Sequence, residues 1–477
     1  MRRPRLPGWR REALRTTLWL VPIVCVVAAV VLFVTTYELD QAVYRGSLDL
    51  PSWIRTGSAD AGRAVLIGIA AAVITVVGVV FSITILALTL ASQQFGPRML
   101  RTFIRDLGTQ VTLGVFVASF VYAVLALGSI TEGSHGHPAF VPHISITIAE
   151  FLMFLDIAFL IYFIHHIAVT IQLPEVIATI AGDLGRAIDE TLPEPLSRAT
   201  TGAAESDERG PTVAELSDLL DTEGLIIPAT RSGYLQFVGY AQLLAIAEGT
   251  DTVIRLVNRP GHFVLAGRPL AWVWPAARAE EVRSALASAH ITGPQRTLAQ
   301  DPVFPIDQLV EIAIRALSPA VNDTFTALTC IDWLSDGLSN ISGRHFVEGV
   351  YRDRAGVIRL IEPDPSYARM VNRAVDKVRQ AARGMPAVLI RLMDALANVA
   401  EYTISAEQRQ VLRREADMVL RASVESIVVP EDLSDLKRRY ARFEQIVNSL
   451  DSGVGAPRSW PKAVVGARAK GGSGPGG

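Results

Sequence analysis

The sequence predicts an α-helical membrane protein with four transmembrane helices, followed by a cytosolic α+β domain built from a small β-barrel-like subdomain and a helical remainder. Three observations lead there. Four apolar runs in the first third of the 477 residues approach or exceed the roughly 18 to 20 residues that cross a hydrocarbon core. Arginines are distributed unevenly about those runs, as they are when basic residues are retained on the cytoplasmic side. Beyond about residue 172 the composition becomes that of a soluble domain, first with short strand-like segments and then with long stretches of helical period.

Composition narrows the function classes. Half of the residues are hydrophobic, 19% are charged, and the formal net charge of -2 leaves no basic field for a nucleic acid. Cys25 and Cys330 are the only cysteines, and neither has neighbours suited to a zinc site or a redox pair. A reduced cytosol suits the later domain, and no cofactor or metal is expected.

Residues 1–16 form a basic cytosolic N-terminus carrying Arg2, Arg3, Arg5, Arg10, Arg11 and Arg15. The run behind them is long and lacks a small-residue cleavage site, so it reads as a retained anchor. Residues 17–172 form the transmembrane domain, with spans near Thr17 to Thr36, Ala64 to Ala91, Gln110 to Ile130 and Ile144 to Ile171. Arg98, Arg101 and Arg105 lie between spans two and three, whereas "EGSHGHPAFVPH" after span three has no Lys or Arg. Both termini are therefore expected in the cytoplasm.

Residues 173–212 read as a juxtamembrane helix and linker; Pro174 permits a bend, and Val176, Ile177, Ile180, Leu184 and Ile188 continue an apolar stripe. Residues 213–276 read as the β-rich subdomain, from "SGYLQFV", "DTVIRLV", "GHFVLAG" and "PLAWVWP". Residues 277–450 are mainly helical, with one hairpin expected at "EGVYRDRAGVIRLIE" turning on Asp353 and Gly356. The Gly- and Pro-rich tail, 451–477, is expected to be disordered.

Several stretches carry a resemblance: "VPHISIT" (141–147), "YFIHHI" (162–167), "RSGYLQFV" (231–238), "QDPVF" (300–304) and "ALSPAVNDTFTA" (316–327). Together they resemble the hallmark segments of a bacterial family of predicted membrane proteins, domain of unknown function 2254, over about Leu18 to Leu396. The resemblance implies a polytopic protein of the bacterial inner (plasma) membrane with a cytosolic domain, and no particular activity. Asp156 stands where relatives look mostly apolar, and Thr324 where they often have proline.

Candidate chemistry begins with "FLDIAFLIYFIHHIAV", residues 154–169. Asp156 falls near the midplane of span four, where an ionised carboxylate costs at least about 2.5 kcal/mol. It is either a proton or cation site or a hydrogen-bonded acid holding a helix contact. His165 and His166 point about 100° apart, too far to share one ion, and lie about 15 Å along the axis from Asp156. They are expected at the membrane interface. In span two, Gly68, Thr75, Ser82 and Thr89 recur at sevens and Gln93 follows four later, sharing one helix face. That face could line an aqueous path if several copies turned it inward, or form a packing seam. With Asp156 it makes up the possible intramembrane polar site.

In "LSPAVNDTFTALTCIDWL", Asn322 or Asp323 is placed to cap the next helix, with the alternative that Asn322, Asp323, Arg296, Asp301 and Arg315 form a polar pocket. His135, His137 and His143 have no recognisable metal-ligand spacing, and no phosphate loop or nucleophile elbow appears. The sequence thus points to a non-enzymatic sensor or scaffold, with an oligomeric channel or transporter lined by span two as the alternative. The expected partners are the lipid bilayer and further copies of the chain, and no nucleic acid.

Overall fold

The computed structural model describes residues 19–47, 57–95, 106–131, 139–192, 211–344, 349–363 and 366–461. The basic N-terminus, Arg98, Arg101 and Arg105, His135, His137, most of the 193–211 linker and the side chain of Gln93 lie outside the described residues. The chain divides into two compact units between Val176 and Ile177.

The N-terminal unit consists of α1 (Leu20–Tyr44), α2 (Ala59–Phe95), α3 (Leu107–Gly128) and α4 (His143–Thr170). All four are long and apolar enough to cross a membrane. Helix α3 packs against each of the other three. Small residues make this possible: a Cβ on Gly114 would stand 2.8 Å from the Cys25 sulfur and 3.2 Å from Pro22 Cα on α1. Leu66, Ile69, Val73, Val77 and Val80 give α2 its buried face, against a core that includes Phe116, Tyr122 and Ala123 of α3. Helix α1 continues past the expected end at Thr36, carrying Asp40 into a buried position.

The C-terminal unit follows from within α5 (Leu173–Thr191), whose Ile177, Ile180, Leu184 and Ile188 are buried. After α6 (Val213–Thr222), the chain alternates β1 (Leu225–Pro228), β2 (Gly233–Val238), α7 (Tyr240–Gly249), β3 (Val253–Leu256), β4 (Phe263–Val264) and β5 (Pro269–Trp274). Next come α8 (Ala279–Ala289), β6 (His290–Gly293), α9 (Val303–Ala316), α10 (Thr324–Ser342), β7 (Val350–Arg352) and β8 (Ile358–Ile361). Helices α11 (Tyr367–Ala381), α12 (Pro386–Ala400), α13 (Ala406–Ser426) and α14 (Pro430–Asp451) complete it.

The β-barrel-like expectation is corrected: among the described residues the strands form two open sheets, ordered β1-β5-β3-β8-β7 and β4-β2-β6. Closure fails because β2 leaves its sequence neighbours to pair with β4 and β6 in a sheet of its own. The five-stranded sheet instead recruits β8, parallel to β3, from about a hundred residues away. The hairpin β7–β8 forms as read, with Asp353 accepting from the amides of Ala355 (2.9 Å) and Val357 (3.0 Å) and Gly356 at φ 84°. Residues 277–293 belong to this layer too, since Val282 and Leu286 of α8 share its core with Leu235, Ile254, Val273 and Leu360. A boundary at 276 therefore separates no packing unit.

Helices α9 to α14 stack beyond the sheets, with α12 against α10, α13 and α14. The segment after α14, read as disordered, returns to α12: Arg458 pairs with Glu401 at 2.8 Å, and Trp460 meets Tyr402 edge-on at 5.2 Å. Residues 462–477 lie outside the described ones.

Candidate functional site

Several polar groups of the N-terminal unit are tied to one another across helices. Asp40 on α1 accepts from the backbone amides of Ile144 (2.8 Å) and Ser145 (3.0 Å) and from the Ser145 hydroxyl (2.7 Å). It therefore caps the N-terminus of α4, whose own N-cap position is Pro142 and supplies no side-chain acceptor. The Ser145 hydroxyl also lies 3.1 Å from that of Thr36, which is 2.8 Å from the Tyr122 hydroxyl on α3. One chain of contacts thus joins α1, α3 and α4.

Asp156 is buried, and Ser119 on α3 donates to its Oδ1 at 3.0 Å while Oδ2 has no partner among the described residues. At the other end of α4, His166 Nε2 lies 2.7 Å from Asp106, which also caps α3 by accepting from the Thr109 amide at 2.8 Å. Tyr162 stacks on His166 with ring centroids 5.3 Å apart, whereas His165 is exposed. The two histidines do not converge, and neither reaches Asp156.

Thr75, Ser82 and Thr89 are exposed, each hydroxyl donating to the carbonyl four residues earlier on α2 at 2.7–2.8 Å. A Cβ on Gly68 or Gly78 would meet nothing. This face turns away from the chain's own helices and from Asp156, so the grouped intramembrane residues do not form one site within a single chain.

In the C-terminal unit, five proposed pocket residues separate into two groups at opposite ends of α9. Arg315, Asn322 and Asp323 lie at its C-terminal end, about 18 Å along the axis from Val303 at about 1.5 Å per residue. Asn322 takes a left-handed conformation (φ 50°), and Asp323 caps α10 by accepting from the Thr326 amide at 3.1 Å and its hydroxyl at 2.6 Å.

Arg296 and Asp301 meet at the N-terminal end of α9. Arg296 donates to Asp301 twice, at 2.8 and 3.0 Å, and to Asp307 at 2.5 Å, with its guanidinium carbon 5.2 Å from the centroid of the Phe304 ring. Burial alone would lower the Arg296 pKa, but the two carboxylates more than reverse that. Asp301 is 3% exposed and packs under Gly261, where any Cβ would collide with the carboxylate. Gly261, at φ 90°, belongs to the β3–β4 turn that also carries Arg259 and His262.

Helix α11 closes the cluster. Arg369 donates to His262 Nε2 at 2.7 Å, and Arg373 lies 3.5 Å from Asp307. Burial, followed by the charges of Arg369, Arg259 and Arg296, holds the His262 pKa down at about 4, so the imidazole is neutral. Sequence reasoning missed Arg259, His262, Asp307, Arg369 and Arg373 because they come from three segments without a shared local pattern. Asp40 and Ser145 had a faint signal: Thr36 and Asp40 sit four apart on one helical face, and Ser145 opens a span that has no cap of its own. Among the described residues no group of three His, Cys, Asp or Glu could hold a metal.

A family model described as predicted membrane protein (DUF2254) matches residues 15–398. An uncharacterized protein of Mycobacterium bovis and one of Mycobacterium tuberculosis are each 33% identical over 397 residues, covering 82% of this chain and 74% of theirs. No solved structure matches.

Proposed function

We propose, from the premise that the chain belongs to the DUF2254 family of predicted membrane proteins, that it is a non-enzymatic sensor or scaffold of the bacterial inner membrane. Its four helices form a non-conducting bundle with both termini in the cytoplasm, and the cytosolic C-terminal unit receives the signal. The observation that carries this reading is the pairing inside the bundle: Asp40, Ser145, Thr36 and Tyr122 bond to one another, and Ser119 to Asp156, rather than lining an aqueous path. The C-terminal unit, by contrast, holds a cluster of arginines reaching toward solvent beside Arg296, Asp301 and Asp307.

A second reading is favoured by one observation. The Gly68, Thr75, Ser82 and Thr89 face is exposed on the single chain, so further copies could meet along it. Two copies meeting there make a seam; a closed ring makes a path. Mass measurement in mild detergent separates the two. A monomer or dimer supports the sensor, and a closed ring of four or more copies overturns it in favour of a channel or transporter.

A further inference from the structure

The cationic cluster at α11 has more positive charge than its own carboxylates neutralise. Arg296 is occupied by Asp301 and Asp307. Three further arginines stand around this ion pair. Arg373 is only loosely held to Asp307, at 3.5 Å. Arg369 has the neutral His262 imidazole as a partner, in place of a carboxylate. Arg259 has no ion pair or side-chain hydrogen bond among the described residues, and its Nε is shut off from water without a partner. The nearest other acids remedy this only in part. Asp376 is paired with Arg379 at 2.9 Å, and Glu362, which accepts from the neutral Tyr351 hydroxyl at 3.3 Å, offsets one of the three charges and leaves the cluster positive.

Arg369 and Arg373 border open space. Ser366, Arg369, Asn372, Arg373 and Lys377 line a groove of about 380 Å³ along the first turns of α11, together with Asp376, whose charge is taken up by Arg379. Ser366 caps that helix, and its first-turn amides add their partial positive charge to the same end. The Arg369 pKa is lowered by burial and then by Arg373 and Arg296, the mark of arginines crowded without enough opposing charge.

We propose that Arg259, Arg369 and Arg373 form a receptor for a phosphate monoester or diphosphate group, entering by the α11 groove. The chemistry selects this class. Guanidinium groups from two separate elements can fork onto several oxygens of one tetrahedral dianion, a geometry that a spherical halide does not exploit. His262 serves as a positioning residue: accepting from Arg369 at Nε2, the neutral ring holds the guanidinium without cancelling its charge. The Arg296–Asp301–Asp307 ion pair fixes the β3–β4 turn and α11 to one another through Gly261 and Arg373. This inference rests on reading the C-terminal unit as the part that receives a signal, and it specifies the class of ligand.

The same group occurs on soluble metabolites and on lipid headgroups, so the test has two arms. Purified full-length protein in detergent is titrated calorimetrically with inorganic pyrophosphate at constant ionic strength. In parallel, thermal stability is compared in phosphatidylcholine nanodiscs with and without phosphatidic acid. Saturable pyrophosphate binding, weakened at least about tenfold by Arg369→Gln with Arg373→Gln, indicates a soluble source. Stabilisation by phosphatidic acid that the same double variant abolishes indicates a headgroup. Arg259→Gln, which lies off α11, gives an independent reading should the double variant fail to fold. No response in either arm, or a response unchanged in these variants, overturns the proposal. Neither outcome bears on oligomer size, which decides the sensor reading separately.

Discussion

Replacing Asp40 by Ala removes the only side-chain acceptor that the described residues offer to the start of α4. The carboxylate takes hydrogen bonds from the Ile144 amide at 2.8 Å, the Ser145 amide at 3.0 Å and the Ser145 hydroxyl at 2.7 Å. Ser145 is fully buried, so water cannot replace the lost acceptor at its amide. The Ser145 hydroxyl retains Thr36 as a neighbour, which leaves two amides to account for. An amide left unsatisfied away from water costs about 1–3 kcal/mol, and a lost N-cap typically about 1 kcal/mol. These overlap, so Asp40→Ala should destabilise the bundle by about 3 kcal/mol. Asp40→Asn keeps one accepting oxygen and should cost about 1–2 kcal/mol. Reversible unfolding of the full chain in mixed micelles, followed by circular dichroism, measures both. Wild-type stability in the Ala variant, or equal losses in the Ala and Asn variants, would refute a carboxylate cap reaching from α1 to α4.

Glu415 is fully buried between α13 and α11, and burial, with Asp376 nearby, raises its pKa from 4.5 to about 7. The folded state therefore binds more protons than the unfolded one between these values, and stability should fall as pH rises through that window. Glu415→Gln should flatten this slope and stabilise the C-terminal unit at pH 8 by about 3 kcal/mol, at 1.36 kcal/mol per pH unit; parallel pH profiles of the two proteins would refute it. Arg296→Ala leaves the buried Asp301 and the partly buried Asp307 without their main cation and should cost about 3–5 kcal/mol, read as a lowered Tm of the same unit. Asp156→Asn should insert and assemble normally, because an amide oxygen still accepts from Ser119; collapse of the folded protein on this change would show that the carboxyl itself is indispensable.

The four long apolar helices were legible because a bilayer demands about 20 apolar residues in succession, a local and strict requirement. Their polar ends were not. Hydropathy stops α1 at Thr36, whereas the helix runs to Tyr44 so that Asp40 can reach α4. The β7–β8 hairpin was legible through its turn residues, but the two-sheet arrangement depends on β3 pairing with β8 across about a hundred residues, which no window of sequence contains. The same limit applies to the C-terminal cluster. Arg296 and Asp301 are five apart and could be paired by eye, yet Arg259, His262 and Arg369 join them only after the β3–β4 turn and α11 fold onto α9. Asn322 and Asp323 drew attention for their composition and serve α10 as a turn and a cap, at the far end of α9 from Arg296.

Ion flux through the purified full-length protein in liposomes tests the central claim most directly. A bundle whose interior hydroxyls and carboxylates at Thr36, Asp40, Ser119, Tyr122, Ser145 and Asp156 are tied to one another predicts no flux above that of protein-free liposomes. Reproducible, ion-selective flux that disappears in a stably assembled Ser82→Leu variant would contradict it and make α2 the lining of a channel.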